Sequence, residues 1–254
     1  MQVQPIAIEE NEQPGEGGGE VGDKGVIVGE SGKAYVTDTK KNGNGIYSAE
    51  NPLGRTVEFG IREFAMSALC SGMRLHGGLR PFCATFLVFA DYLRPSLRVV
   101  SLMKQPVIYV FTHDSIYVGE DGPTHQPIEQ EAQIRLMEHL HNHHGERSMV
   151  VLRPADGEDT IAAWKIALEE QRPVALILSR QNIKNLPTLS ASRREEAMQS
   201  QKGAYIVMDS AKPKVVMIAS GSEVSTLVEG AEILAQEGIA TRVVSIPSEG
   251  LFRD

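Results

Sequence analysis

Short apolar runs without alternation recur along the chain at 107–111 (V-I-Y-V-F), 149–152 (M-V-V-L), 174–178 (V-A-L-I-L), 215–219 (V-V-M-I-A) and 243–246. The first three runs suit strands buried on both faces of a parallel sheet, and the last two read as the strands of one βαβ unit. Between them the apolar spacing lengthens to a helical period. Ile61, Phe64, Ala65, Ala68, Leu69 and Met73 keep to one side of a helix over 61–76, and Gly77-Gly78 supply the stop signal. A second helical pattern covers 86–103, either opened or kinked by Pro95, and a third covers 128–140. Asp156 is placed to cap a fourth helix with apolar positions at Ile161, Trp164 and Leu168, and a last one runs over 223–236 between Gly221 and Gly238. Strands alternating with helices predict an α/β fold on a parallel sheet.

Composition divides this pattern into segments. Residues 1–24 are rich in Gly and acid, with too few apolar residues to offset the entropy of ordering, and read as a tail. A first domain is expected over 25–185, opening with the strand-like G-V-I-V-G at 25–29. The polar Ser/Arg/Gln-rich stretch at 186–203 reads as a linker. Residues 204–254 hold one βαβ unit of a second, partial α/β domain, whose strand edge and helix face need covering.

The 254 residues carry 25 basic and 33 acidic side chains, a formal charge of −8. That balance argues against nucleic acid or an anionic membrane as a general partner, so any phosphate must meet a local basic pocket. Cys70 and Cys83 lack the spacing of a metal or disulfide framework, no charged-then-apolar leader is seen, and no apolar run spans a bilayer. Cytoplasm is the expected compartment. His139, His141, His143 and His144 form a cluster that admits a metal reading, but no Cys or carboxylate ligand pattern accompanies it, and an exposed insertion is preferred.

The densest chemistry lies at 112–127, T-H-D-S-I-Y-V-G-E-D-G-P-T-H-Q-P, directly after the first buried-type strand. Gly119, Gly122, Pro123 and Pro127 set turns, while His113, Asp114, Glu120, Asp121 and His125 bring two imidazoles and three carboxylates together. A loop leaving the carboxyl end of a core strand is where open α/β sheets put ligands. Read alone, the stretch is equally a solvated turn. It closely resembles the signature loop in the pyrimidine-binding domain of transketolases. G-I-R-E at 60–63, T-F-L-V-F-x-x-Y at 85–92, R-P-A-D-G at 153–157 and L-S-R-Q-N at 178–182 extend the resemblance in the family's order over most of 26–254. E-S-G-K-A-Y at 30–35 departs from the family's G-G-S-A-D-L, with Lys33 where an acid is expected.

The resemblance implies a three-layer α/β/α domain that binds the pyrimidine of thiamine diphosphate, followed by the start of the family's C-terminal domain. By spacing alone Glu63 is a first-turn acid complementing the helix dipole. The resemblance makes it the carboxyl that activates the cofactor's aminopyrimidine. Phe86, Phe89 and Tyr92, at i, i+3 and i+6, fit one side of a helix and read either as core or, by resemblance, as rings packing the pyrimidine. His125 and Asp121 would meet substrate near the reacting carbons, and His113 and Arg180 would hold a sugar phosphate, the guanidinium suiting two oxygens at once.

Magnesium and the diphosphate are bound by a G-D-G motif in the family's N-terminal domain, a motif absent here, so no metal ligand is assigned to these residues. The expected activity is ketol transfer between phosphorylated sugars of the pentose phosphate pathway, in a homodimer or with a chain carrying the diphosphate-binding domain. A non-catalytic remnant or regulatory subunit pairing with a full-length transketolase is the alternative. A deoxyxylulose-phosphate or dihydroxyacetone synthase fits the loop less well.

Overall fold

A computed structural model describes strands at 7–8, 25–29 and 32–36 and residues 55–253. It divides into two units, 1–61 and 62–254. In the first, β1 (Ala7–Ile8), β2 (Gly25–Gly29) and β3 (Gly32–Val36) form an antiparallel sheet in the order β1-β2-β3, with Ala7 opposite Val26 and Val28 opposite Lys33. The rest of the expected tail lies outside the described residues, and around Lys33 backbone pairing alone is described.

The second unit begins with α1 (Glu63–His76), which ends where the Gly77 N–H donates to the carbonyls of Met73 and Arg74. β4 (Phe82–Phe86) follows, then a 3₁₀ turn at Leu87–Phe89 and α2 (Ala90–Leu102). The helical pattern expected from residue 86 is corrected here. Phe86 closes a strand, because Phe82 to Phe86 pair in parallel with Ile108 to Thr112, and that ladder outweighs the helical spacing of the aromatics. Pro95 lies inside α2, leaving the Asp91 carbonyl without its usual helical donor.

β5 (Ile108–Thr112), α3 (Gln130–His139), β6 (Val150–Leu152), α4 (Gly157–Glu169) and β7 (Val174–Ile177) complete a four-stranded, all-parallel sheet in the order β4-β5-β7-β6. Strands β5, β6 and β7 bury both faces, as the unbroken apolar runs require, while the edge strand β4 leaves Phe82 and Ala84 exposed. On one side Tyr109, Phe111, Val151, Ala175 and Ile177 pack with Leu93 and Leu97 of α2, and on the other Ile108, Val110, Leu152 and Leu176 pack with Ala163 and Ala167 of α4. Helices on both faces of a parallel sheet make the three-layer α/β/α architecture. The Asp156 side chain caps α4, accepting from the Asp159 N–H at 2.8 Å.

The polar stretch read as a linker folds onto the body. It contains α5 (Arg193–Ala197) and a 3₁₀ turn at Met198–Lys202, and Leu186, Ala197 and Ser200 are buried. Its Arg193 is bonded within the body. Arg193 donates to both oxygens of Asp156 (2.8 and 3.1 Å) and to Tyr205 Oη (2.6 Å), while Tyr205 and Ser200 donate to Asp159. A smaller sheet, β8-β10-β9, follows, from β8 (Tyr205–Met208), β9 (Val215–Ala219), α6 (Glu223–Gln236) and β10 (Thr241–Ser245), and the described chain ends in α7 (Glu249–Arg253). β9, α6 and β10 are the expected βαβ unit, with β9 and β10 parallel. β8, antiparallel to β10, and α7 are additions to it.

The four histidines at 139–144 are exposed, His139 at the end of α3 and the other three on a turn that Asn142 organises by accepting from the N–H groups of His144 and Glu146. No group of three metal-ligating side chains is seen among the described residues, and no helix there is long and apolar enough to cross a membrane.

Candidate cofactor and substrate site

All four strands of the parallel sheet deliver a polar or aromatic residue at their carboxyl ends. Phe86 closes β4, His113 follows β5, Arg153 follows β6, and Arg180 comes three residues after β7. Since the strands run the same way, these residues share one rim of the sheet. The register Phe86 opposite Thr112 sets the first contact, in which the Phe86 ring stacks on the His113 imidazole at 3.5 Å between centroids and 19° between planes. His113 adopts φ 59°, a left-handed conformation uncommon for a side-chain-bearing residue, and its Nδ1 lies 2.9 Å from Thr112 Oγ1.

Ring contacts continue from Phe86. Phe89 lies stacked at 6.0 Å, Tyr92 meets Phe89 at 6.2 Å, and His125 meets the Phe89 ring edge-on at 5.3 Å. Phe86, Phe89 and Tyr92 therefore form one aromatic series although they sit in a strand, a 3₁₀ turn and a helix in succession. Tyr92 is 65 % exposed, leaving a large planar surface unburied beside the series. Arg180 approaches from β7 and lays its guanidinium against Gly119, which adopts φ +93°; Arg180 Cζ lies 3.6 Å from the place a Cβ would take, an ordinary contact distance.

Six expected site residues are thus gathered in two contact groups of one loop region: Phe86, Phe89, Tyr92, His113 and His125 by their rings, and Arg180 against Gly119. Asp121 is exposed in the turn before Gly122, and Glu63 is half-buried at the first position of α1. Among the described residues neither is tied to the ring series by a hydrogen bond or ion pair. α1 is anchored to the sheet by Ser67, whose hydroxyl lies 3.0 Å from Tyr109 Oη on β5.

The residues suit a flat heteroaromatic ligand and a polar one beside it. The rings offer planar faces, and Asp114 Oδ1, Ser115 Oγ, Gln126 Oε1 and Gln181 Oε1 are buried without a hydrogen-bond partner among the described residues. A buried polar atom left unpaired costs about 1–3 kcal/mol, so the three on the 112–127 loop, and Gln181 after β7, are open to a ligand's hydrogen bonds.

Sequence reasoning gave no role to Asp114 and Arg153, the most heavily bonded pair at this rim. Asp114 Oδ2 accepts from Arg153 Nε at 2.9 Å and pairs with Nη2 at 2.8 Å. Burial holds the Asp114 carboxyl above its ordinary range, against the opposing pull of Arg153. The signal was present, since Arg153 opens R-P-A-D-G at a strand end just as Arg180 sits in L-S-R-Q-N.

Comparison with known proteins identifies the family. Residues 19–185 match the family model "Transketolase, pyrimidine binding domain", and residues 203–254 match "Transketolase-like TK C-terminal domain". Transketolase of Halalkalibacterium halodurans is 50 % identical over 226 residues, covering 88 % of this chain and 32 % of that protein. That of Bacillus subtilis is 49 % identical over 229 residues, covering 89 % and 32 %. The crystal structure of Campylobacter jejuni transketolase superposes with a TM-score of 0.72 at 39 % identity, over 85 % of this chain and 31 % of that one. A split-gene transketolase, described as an inactive β4 tetramer, gives 0.61 at 26 % identity over 83 % and 62 %. The chain spans about a third of the length of the curated relatives it matches. It belongs to the transketolase family, of which it carries the pyrimidine-binding domain and residues of the C-terminal domain.

Proposed function

We propose that this chain forms the pyrimidine side of a thiamine diphosphate site and takes part in transfer of a two-carbon ketol unit between phosphorylated sugars, the chemistry of the pentose phosphate pathway. The observation that carries the reading is the aromatic series of Phe86, Phe89, Tyr92, His113 and His125, which starts at the carboxyl end of a parallel strand, with Arg180 laid against Gly119 of the same loop. Thiamine diphosphate, when bound, supplies the nucleophilic carbon that attacks the donor sugar.

The roles of the chain's own side chains follow from their chemistry. Glu63 holds a proton at the aminopyrimidine ring, and the three aromatics sandwich that ring and exclude water. His125 moves a proton at a sugar oxygen as the C2–C3 bond breaks, and Asp121 receives a neighbouring hydroxyl. His113 and Arg180 anchor the distal phosphate, the guanidinium presenting parallel donors. The diphosphate and magnesium are held by residues outside this sequence, in a homodimer or in a heteromer with a chain carrying the diphosphate-binding domain. The cytoplasm is the compartment of this activity.

The non-catalytic reading draws support from the split-gene relative described as an inactive β4 tetramer. One experiment separates the two. The purified chain is assayed for ketol transfer with thiamine diphosphate, magnesium, a ketose donor and an aldose phosphate, with and without a separately produced diphosphate-binding domain of a full-length relative. Turnover that requires the added domain supports the proposal. Its absence in both arms, with the two proteins shown to associate, supports a regulatory subunit.

A further inference from the structure

We propose that Arg153 is a positioning residue for the loop that carries His113, and that through this one guanidinium the segments flanking the C-terminal sheet set the geometry of that loop. The inference rests on the reading of His113 as a phosphate ligand, but its structural half stands without it.

His113 needs an external hold. Its left-handed backbone, φ 59°, is one that a residue with a Cβ leaves readily unless its surroundings fix it. The next residue supplies that hold: the Asp114 side chain is 1 % exposed, and its Oδ2 is gripped by both Nε and Nη2 of Arg153 at 2.9 and 2.8 Å. Neither ion of a buried pair can shift far alone, since the one left behind would be charged and unsolvated. The position of Asp114, and with it the backbone of His113, therefore follows the position of the Arg153 guanidinium.

Arg153 is in turn held mainly from the C-terminal side. Its N–H donates to the Pro247 carbonyl at 2.8 Å, and its own carbonyl accepts from the Gly221 N–H at 3.1 Å. Nη1 donates to the Ser220 carbonyl at 3.1 Å, and the guanidinium pairs with both oxygens of Glu223 at 2.7 and 3.0 Å. Glu131 of α3 stands 3.6 Å from Nε and is itself bonded to Arg135 at 2.8 Å. Gly221 completes the seat. At φ +62° it leaves space for the arginine stem, and a Cβ there would fall 2.6 Å from Arg153 Nε and 2.8 Å from Cγ. The segment 220–223, running from the end of β9 into the first residue of α6, thus grips the residue that grips the site loop.

A purely structural ion pair would affect melting and nothing specific at His113. The test therefore reads the His113 ring by heteronuclear NMR in the full chain, with the resonance assigned through His113→Gln. It also reads the dissociation constant for ribose 5-phosphate and the melting temperature. Four proteins are compared: wild type, Arg153→Lys, Gly221→Ala, and Glu223→Gln, whose side chain faces solvent and whose replacement keeps its shape. The His113 ring resonances are expected to move in all three variants while those of His143, on the distant exposed turn, stay in place. Ribose 5-phosphate binding is expected to weaken by about tenfold in Arg153→Lys and Gly221→Ala, the scale on which small misplacements of a positioned group act. Unmoved His113 resonances in folded Arg153→Lys overturn the proposal, and if that variant does not fold, Glu223→Gln carries the same decision. Should the wild type bind no ribose 5-phosphate, the phosphate role of His113 fails, while the ligand-free ring resonances still decide whether Arg153 positions the loop.

Discussion

The Phe86 ring stacks on the His113 imidazole at 3.5 Å between centroids. The contact joins a strand end to the residue after its neighbouring strand, so the parallel register that pairs Phe86 with Thr112 also builds the first wall of the site. Phe86→Leu keeps the apolar volume but removes the planar face. Its expected cost in folding is about 0.5–1.5 kcal/mol beyond lost area, checked by thermal melting. In a reconstituted complex it should weaken thiamine diphosphate binding, read by titration against protein fluorescence. Unchanged cofactor affinity would remove the aromatic series from the site.

His125→Ala and Arg180→Ala should part company in steady-state kinetics. His125, edge-on to Phe89, is read as standing near the reacting carbons, so its loss should lower kcat about 10²-fold with little change in KM. Arg180→Ala should instead raise KM for phosphorylated substrates, by removing roughly 2 kcal/mol of charged hydrogen bonding. A non-phosphorylated sugar should not distinguish Arg180→Ala from wild type.

Asp156 joins three parts of the fold: it caps α4, accepts from the Leu186 N–H at 3.0 Å, and pairs with Arg193 at 2.8 Å. Asp156→Ala removes a cap and leaves a partly buried guanidinium without its main counter-ion, an expected loss of about 3–5 kcal/mol. At roughly 2–4 °C per kcal/mol for a chain of this size, melting should fall by about 10 °C. Asp156→Asn, which keeps the cap, should fall less. An unchanged melting temperature in Asp156→Asn would make the ion pair energetically silent.

Glu138 is 1 % exposed, accepts from the Val151 N–H at 2.8 Å, and has its carboxyl pushed above the ordinary range chiefly by burial, with Arg135 opposing and Glu249 reinforcing the shift. A carboxyl whose folded-state pKa is raised binds its proton more tightly in the native state. Its stabilising contribution is full below the unfolded value of about 4.3 and is lost as pH rises through the folded value. Glu138→Gln keeps an acceptor for Val151 without a buried charge. Its stability relative to wild type should therefore rise from pH 4 towards neutrality, measured by melting at stepped pH. A difference that stays constant over this range would contradict the burial argument.

Much of the architecture was legible because the central parallel strands are apolar on both faces, and V-I-Y-V-F or V-A-L-I has few other homes. Capping was legible too, since Asp156 stands one residue before α4. Phe86 was misread because aromatics at i, i+3 and i+6 satisfy a helix while only the tertiary ladder with β5 makes Phe82–Phe86 a strand. The stretch around Arg193 was misread because polar residues imply solvent only when their partners are unknown, and Asp156 lies 37 positions away. β8 and α7 are short elements, fixed by pairing and by close approach. Gly203, at φ +80°, lies so near α7 that a Cβ would meet Phe252 N at 2.1 Å, a contact no local pattern announces. The Asp114–Arg153 pair needed the fold to bring a loop and a strand end together.

The pyrimidine reading depends most on Glu63, which opens α1 and would be an ordinary first-turn glutamate were the cofactor role absent. Glu63→Gln preserves shape and hydrogen-bonding capacity but removes the titrating carboxyl. The measurement is kcat for ketol transfer by the variant and by wild type in the same reconstituted complex, with melting temperatures taken alongside. A fall in kcat on the order of 10² or more at unchanged melting temperature is predicted. Full turnover with unchanged melting would return Glu63 to the helix dipole and contradict the assignment of this rim to the thiamine pyrimidine.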